Sequence, residues 1–401
     1  MRTRYTNLLA FSRFGAGVAN MTYAGSLPFL LGEWGMSGTE AGSIQASFNL
    51  CYALSLLLCS WASDRFGPER IFVAANCLSA LALIGCSLIV RSHDSAIIMF
   101  GLLAAALGGS YTPSIMLIAK ATPASHRGSA IGLLLAGSSV GYFFAIAVCA
   151  GLIPTFGYVA VWKLLSVIPL LSAFAASVAA TKPPLPVETA SVGGIDNSGR
   201  FLSRNSILLT TGYTGHCWEL LGMWAWTPAF LAFALAGSAI PSLLLGIIIA
   251  AALHLSGAGS TLVGGWASDR WGRKFVLVAV AALGTALSLI IGWTAVLPSA
   301  VIVGLVFLYG FAALGDSGVL STAMADAVPP NQLGRLLALR SILGFGAGAV
   351  SPIVFGWILD HTNVAGSAPT NWGWAFAVLG LGGAIATASA LGLRSQRTGY
   401  R

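Results

Sequence analysis

Apolar runs of about 20 residues follow one another along the whole chain, and a helix of that length crosses a ~30 Å hydrocarbon core. Twelve can be marked, at 7–31, 40–61, 71–91, 95–118, 129–153, 157–181, 205–232, 241–265, 275–294, 298–324, 333–359 and 372–393. Only 8% of the residues are charged, against about 25% in a soluble domain. That is too little to cover a water-exposed surface, and the mean hydropathy is +0.85. The runs are too long and too uniformly apolar for barrel strands, which alternate inward and outward. The first run is also too long for a cleaved signal peptide and reads as a retained helix. The expected fold class is an all-α membrane protein of twelve transmembrane helices.

The net charge of +8 would suggest nucleic acid in a soluble chain, but its placement points to lipid instead. With the amino terminus inside, inner segments hold Arg2, Arg4, Arg65, Arg70, Lys120, Arg127, Lys182, Arg200, Arg204, Arg270, Arg273, Lys274, Arg335, Arg394, Arg397 and Arg401. Outer segments hold Arg91 and Lys163 alone. This bias predicts a bacterial-type inner-membrane protein with both termini cytoplasmic, the bilayer as a partner and no nucleic acid. Cys51, Cys59, Cys77, Cys86, Cys149 and Cys217 fall inside the predicted spans without any Cys-x-x-Cys pair. They read as reduced core residues rather than metal ligands.

The string Trp-Ala-Ser-Asp-Arg-x-Gly occurs twice, at 61–67 and at 266–272, about half a chain apart. Each copy is a short charged turn between apolar runs, the mark of a duplicated membrane domain. Lys182–Arg204, rich in proline and glycine, divides six spans from six and reads as a flexible linker. The expected organisation is therefore two pseudo-symmetric six-helix bundles, 1–181 and 205–401, joined by a cytoplasmic linker at 182–204. Gly132, Gly137 and Gly141 in the fifth span match Gly344, Gly346 and Gly348 in the eleventh. Such glycines serve close helix packing or a sliding seam between halves.

Gly265-x-x-x-Asp269-Arg270-x-Gly272-Arg273-Lys274 resembles the loop signature of the major facilitator superfamily. The first copy, Ser60-x-x-x-Asp64-Arg65-x-Gly67-Pro68-Glu69-Arg70, departs from it at Ser60 and Glu69. Together with twelve spans and a central loop, the resemblance covers essentially the whole chain. It implies one central site reached alternately from each side, with helices 1, 4, 7 and 10 lining it. It also implies that Asp64 reaches the start of helix 11 and Asp269 the start of helix 5. A carboxylate there would meet unpaired N–H groups and a positive dipole end. The implied cytoplasmic gate comprises Asp64, Arg65, Arg70, Arg127, Asp269, Arg270, Arg273, Lys274 and Arg335. The plainer alternative is that these loops only satisfy topology.

Ionisable groups inside a bilayer are costly, so each is a candidate site. Glu219 falls near the middle of the seventh span among Trp218, Trp224 and Trp226. It could carry a proton, bind a cationic group or make a structural hydrogen bond. His216, His254 and Asp316 are further titratable candidates for proton coupling. Asp316 and Arg340 fall at similar depth on neighbouring spans, where a salt bridge is expected; alternatively, Arg340 faces the cavity and attracts an anion. Asn20, Tyr23, Tyr111, Trp218, Trp224, Tyr309 and Arg340 are the substrate-cavity candidates. Arg13, two turns into the first span, is expected to snorkel to the inner surface. There is no Walker loop, zinc spacing or nucleophile elbow, so no enzyme activity, cofactor or metal is expected. The function expected is secondary active transport of a small solute by a monomer, with protons as the coupling ion. A passive uniporter or a non-transporting receptor or assembly factor of the same fold are the alternatives.

Overall fold

A computed structural model describes residues 2–122, 124–181, 202–238, 240–328, 330–364 and 369–394. Most of the expected linker, 182–201, lies outside them. Within the described residues the secondary structure is helical, with no strand. The first helices are α1 (Arg2–Glu33), α2 (Gly38–Phe66), α3 (Pro68–Ile89) and α4 (His93–Ala121). Ala124–Thr181 breaks at Gly157, whose φ of 73° only glycine adopts freely, giving α5 (124–156) and α6 (158–181). Next come α7 (Arg204–Ala234) and α8, which runs from Ser242–Ala250 through a π-turn at Ala251–Leu255 into Ser256–Trp271. Then follow α9 (Arg273–Ile291), α10 in two pieces (Ser299–Gly315 and Ser317–Ala327), α11 (Pro330–Thr362) and α12 (Gly373–Gly392). Twelve helices are thus present among the described residues, at the positions that hydropathy marks.

Length and apolar composition suffice for a bilayer crossing in α2, α3, α4, the continuous stretch Ala130–Thr181 of α5 and α6, and α9 to α12. The helices that fall short are α1, α7 and α8. The first two carry buried polar groups, among them Arg13, Thr22 and Ser26 on α1 and His216, Glu219 and Thr227 on α7. The third is split by its π-turn. Helices that give up hydrophobicity inside a membrane are where function is to be sought.

The chain divides into two compact units. The first holds α1, α2 from Ser43 onward, α3 to α6, and α8 as far as His254. There, α1 lies directly on α5. A Cβ at Gly17 would strike Ser138, and one at Gly137 or Gly141 would strike the α1 backbone at Ala10 or Phe14. These α5 glycines therefore serve close packing inside one unit. Phe100, Tyr158 and Trp162 form an aromatic core, with the Trp162 indole donating to Ser26 Oγ at 2.8 Å.

The second unit holds Ser37–Gly42, α7, and the chain from Leu255 through α12. Its core stacks Trp226 on Phe355, with Trp372, Phe230 and Phe376 edge-on around them. Gly344 and Gly348 on α11 make room for Tyr213, Cys217 and Leu221 of α7. The first turn of α2 belongs to this unit: Asp360 of α11 accepts from the backbone N–H of Gly38 (2.5 Å) and Thr39 (2.8 Å) and from the Thr39 hydroxyl (2.6 Å).

Candidate functional site

In the second unit, burial and chemistry converge on α7. Glu219 and His216, one turn apart on α7, are both buried. Ser288 Oγ of α9 lies 2.5 Å from Glu219 Oε1 and 2.6 Å from Tyr309 Oη of α10. Serine has one proton and can donate it to only one of the two at a time; the Tyr309 hydroxyl also bonds Glu219, so Tyr309, Ser288 and Glu219 form one hydrogen-bonded chain. The carboxyl group fits because Gly284 and Gly383 carry no side chains: a Cβ on either would lie 3.2 Å and 2.8 Å from its oxygens. Mid-membrane glycines facing an acid are thus part of the site, a signal that the sequence shows only once the neighbours are known.

His216 Nδ1 lies 2.9 Å from Asp316 Oδ1, and its Nε2 lies 3.2 Å from Ser317 Oγ. Asp316 sits where α10 breaks, between Gly315 and Ser317. Broken helices are where membrane carriers place ion and substrate groups. A crevice lined by Leu209, Gly212, Leu277, Ala281, Leu320 and Ala386 reaches Asp316. Glu219, His216 and Asp316 sense one another electrostatically. A pair of acids, a histidine, a serine and a tyrosine therefore form one buried polar cluster across α7, α9 and α10.

The expected Asp316–Arg340 salt bridge is not formed. Asp316 turns to His216, while Arg340 donates to Ser321 Oγ at 3.0 Å and lies 4.4 Å above the Tyr213 ring. Matching depth on neighbouring helices did not mean matching azimuth. The tryptophans are likewise not the surroundings of Glu219. Trp218 donates to the Val378 carbonyl (3.0 Å) and Trp226 to that of Pro352 (3.0 Å). Trp226 is fully buried, whereas Trp218 and Trp224 are half-buried.

In the first unit, Arg13 does not snorkel. It is 4% exposed, its Nη1 donates to Ser110 Oγ at 2.7 Å, and its guanidinium lies 5.2 Å from the Tyr111 ring centre. Its charge also faces Tyr52 and Tyr142. Tyr142 in turn packs 5.3 Å from the ring of His254, which occupies the π-turn of α8. Such turns recur at functional sites. Asn20 is half-buried on α1, while Tyr23 is buried against Phe100. Sequence reasoning placed Tyr111 and His254 among the candidates, expected Arg13 to snorkel, and did not weigh Tyr52, Tyr142 or Ser288.

The repeated turns fold alike. Gly67 and Gly272 have φ of 91° and 88°, a conformation reserved for glycine. Arg65 lies 5.9 Å from the Trp61 ring and Arg270 5.9 Å from that of Trp266. Asp64, Arg70, Asp269 and Arg335 are exposed. Arg273 pairs with Asp326, and Lys274 donates to the Leu393 carbonyl at 2.8 Å. The Arg127 side chain lies outside the described residues.

Twelve helices, two matching turns and buried ionisable groups on helices 1, 7, 8 and 10 fit an integral-membrane transporter rather than an enzyme. The family model of the Major Facilitator Superfamily matches residues 9–315 and 240–399, and the chain belongs to that family. It is 27% identical over 381 residues to the cis,cis-muconate transport protein of Acinetobacter baylyi, covering 87% of this chain and 85% of that one. It is 25% identical over 390 residues to a probable 4-methylmuconolactone transporter of Cupriavidus pinatubonensis, covering 88% and 84%. The nucleoside transporter NupG, solved as a D323A mutant, superposes with a TM-score of 0.75 at 15% identity, covering 98% of this chain and 100% of that one. The last likeness is one of fold.

Proposed function

We propose that this chain is a secondary active carrier that moves a small organic solute by alternating access, with protons as the coupling ion. The observation that carries the reading is the buried Tyr309–Ser288–Glu219 chain beside His216 and Asp316. Carboxyl and imidazole groups that change charge inside a membrane must exchange protons with one side or the other. Asp316 lines a small crevice, and the serine and tyrosine hydroxyls can relay a proton to Glu219. The names of the muconate and methylmuconolactone relatives favour an organic acid as the solute. The charge bias favours an inner membrane and cytoplasmic termini, and the reading takes the carrier as a monomer. The domain scheme 1–181, 182–204 and 205–401 belongs to the same proposal. So does a cytoplasmic gate built on Asp64 and Asp269.

The test uses purified protein in proteoliposomes containing a pH-sensitive dye, challenged with a panel of small organic acids. A member of the panel should drive proton movement, and a protonophore should abolish its accumulation. Glu219→Gln keeps the shape but cannot release a proton. It should lose gradient-driven accumulation and retain exchange of labelled solute. Normal accumulation by the variant under a proton gradient would remove Glu219 from the coupling step. Accumulation indifferent to the protonophore in the unaltered protein would leave a uniporter.

A further inference from the structure

A guanidinium group stays charged at any physiological pH, so Arg13 is a permanent cation that the first unit has buried. Among the described residues no ion pair involves it. Its hydrogen bonds go to neutral hydroxyls, from Nη1 to Ser110 Oγ at 2.7 Å and a further one to Tyr52, and its buried Nε–H has no hydrogen-bond partner. An unpaired buried charge is among the costliest features a protein can keep, and a paired one is tolerated. The guanidinium fork matches carboxylate geometry, two parallel N–H groups to two oxygens. Among the described residues, then, Arg13 has no anionic partner.

What surrounds it says what such a partner would be attached to. Tyr111 on α4 lies beneath the guanidinium, while Tyr52 on α2 and Tyr142 on α5 face it. All three are half-buried, while Arg13 itself is buried. Aromatic faces take flat, unsaturated bodies by offset stacking, and phenol groups supply donors at their edges. Among the described residues no lysine or second arginine joins Arg13 there, so one negative charge is matched, not the several of a phosphate ester.

We propose that Arg13, with Tyr52, Tyr111 and Tyr142, is the binding site in the first unit for a small organic acid: one carboxylate on a flat conjugated body. Arg13 grips the carboxylate through Nε and Nη, and the tyrosines hold the body. This deepens the transport reading by naming the solute class and the residues that select it, on helices separate from the proton-coupling cluster. The two functions are thus separable by mutation.

The experiment measures equilibrium binding to the purified, detergent-solubilised protein, without any gradient. Benzoate, 4-hydroxybenzoate, nicotinate and sorbate are each compared with the matching neutral amide and with inorganic phosphate. At least one acid should bind, and its amide should bind at least roughly 10-fold more weakly, as expected for loss of a charged hydrogen-bonded pair. Arg13→Gln should weaken that acid by roughly 10- to 100-fold. Arg13→Lys, which keeps charge without the fork, should fall between, and thermal unfolding reports whether each variant is folded. Binding is read without a gradient, so accumulation indifferent to a protonophore in the unaltered protein would end the coupling reading and leave this binding site standing. The proposal is overturned if no acid of the panel binds, if acid and amide bind equally, if phosphate binds as tightly as the best acid, or if folded Arg13→Gln binds unchanged.

Discussion

The start of α2 is held by a carboxylate from another helix, and removing that carboxylate has a calculable effect. Helix starts leave N–H groups without intrahelical partners. At α2 they are all accounted for. Ser37 and Glu40 form a reciprocal cap, with the Ser37 N–H to Glu40 Oε2 at 2.8 Å and the Glu40 N–H to Ser37 Oγ at 3.2 Å. The remaining two N–H groups, of Gly38 and Thr39, go to Asp360 of α11, which also takes the Thr39 hydroxyl. Backbones approach closely here, because a Cβ on Gly356 would strike Gly38 and one on Gly42 would strike Pro352. Losing an N-cap acceptor costs about 0.5–2 kcal/mol, and the charge at the dipole end adds about 0.3–1 kcal/mol when exposed and up to ~2 when partly buried. Asp360 is half-buried, and water can solvate the freed N–H groups, so Asp360→Ala should cost about 2 kcal/mol. That is roughly a 30-fold larger open population of the α2 start. Hydrogen exchange of the 37–41 amides reads it as a roughly 30-fold loss of protection. Asp360→Asn keeps one acceptor and should lose about 5-fold. Unchanged protection in the alanine variant would refute the reasoning. A transport assay on the same variant then reports whether release of this turn is a step of the cycle.

Two further outcomes follow from the same geometry. A cysteine-free protein carrying Ser198→Cys should react in intact cells only with a membrane-permeant reagent, and labelling by an impermeant one would reverse the orientation derived from the charge bias. Trp226→Ala empties the aromatic centre of the second unit and should cost about 3–5 kcal/mol, whereas Arg273→Ala breaks a partly exposed pair and should cost less than ~1 kcal/mol; comparable losses in thermal unfolding would contradict this ranking.

Hydropathy alone located all twelve helices because the bilayer imposes a length that few other constraints can disguise. The half-chain repeat was equally legible, and its two turns fold to nearly the same backbone at Gly67 and Gly272. Interruptions inside the helices were less visible. Nothing in Ala251–Leu255 announces a π-turn, since its residues are ordinary helix formers and the extra residue is accommodated by packing. The break at Asp316 had a local cue in Gly315 and Gly318, but glycines are frequent throughout this chain, with 49 in all, so the cue carried little weight.

What the sequence could not supply was azimuth. Counting residues from a helix end gives an expected depth at about 1.5 Å each, and it set Asp316 and Arg340 at a similar level. The partner of a buried charge is set instead by which way the side chain leaves the helix, and each residue turns that direction by about 100°. Asp316 and Arg340 share a level yet point to His216 and Tyr213 respectively. Arg13 shows the same limit at greater consequence. Two turns from the helix start, its side chain is long enough to reach the interface, so depth permitted snorkelling; direction sent it inward to Ser110 instead. A chain that buries an arginine where water was within reach retains that charge against a standing cost. A carboxylate arriving at Arg13 would offset that cost, and so the residue whose placement depth alone misjudged is the one on which the solute proposal rests.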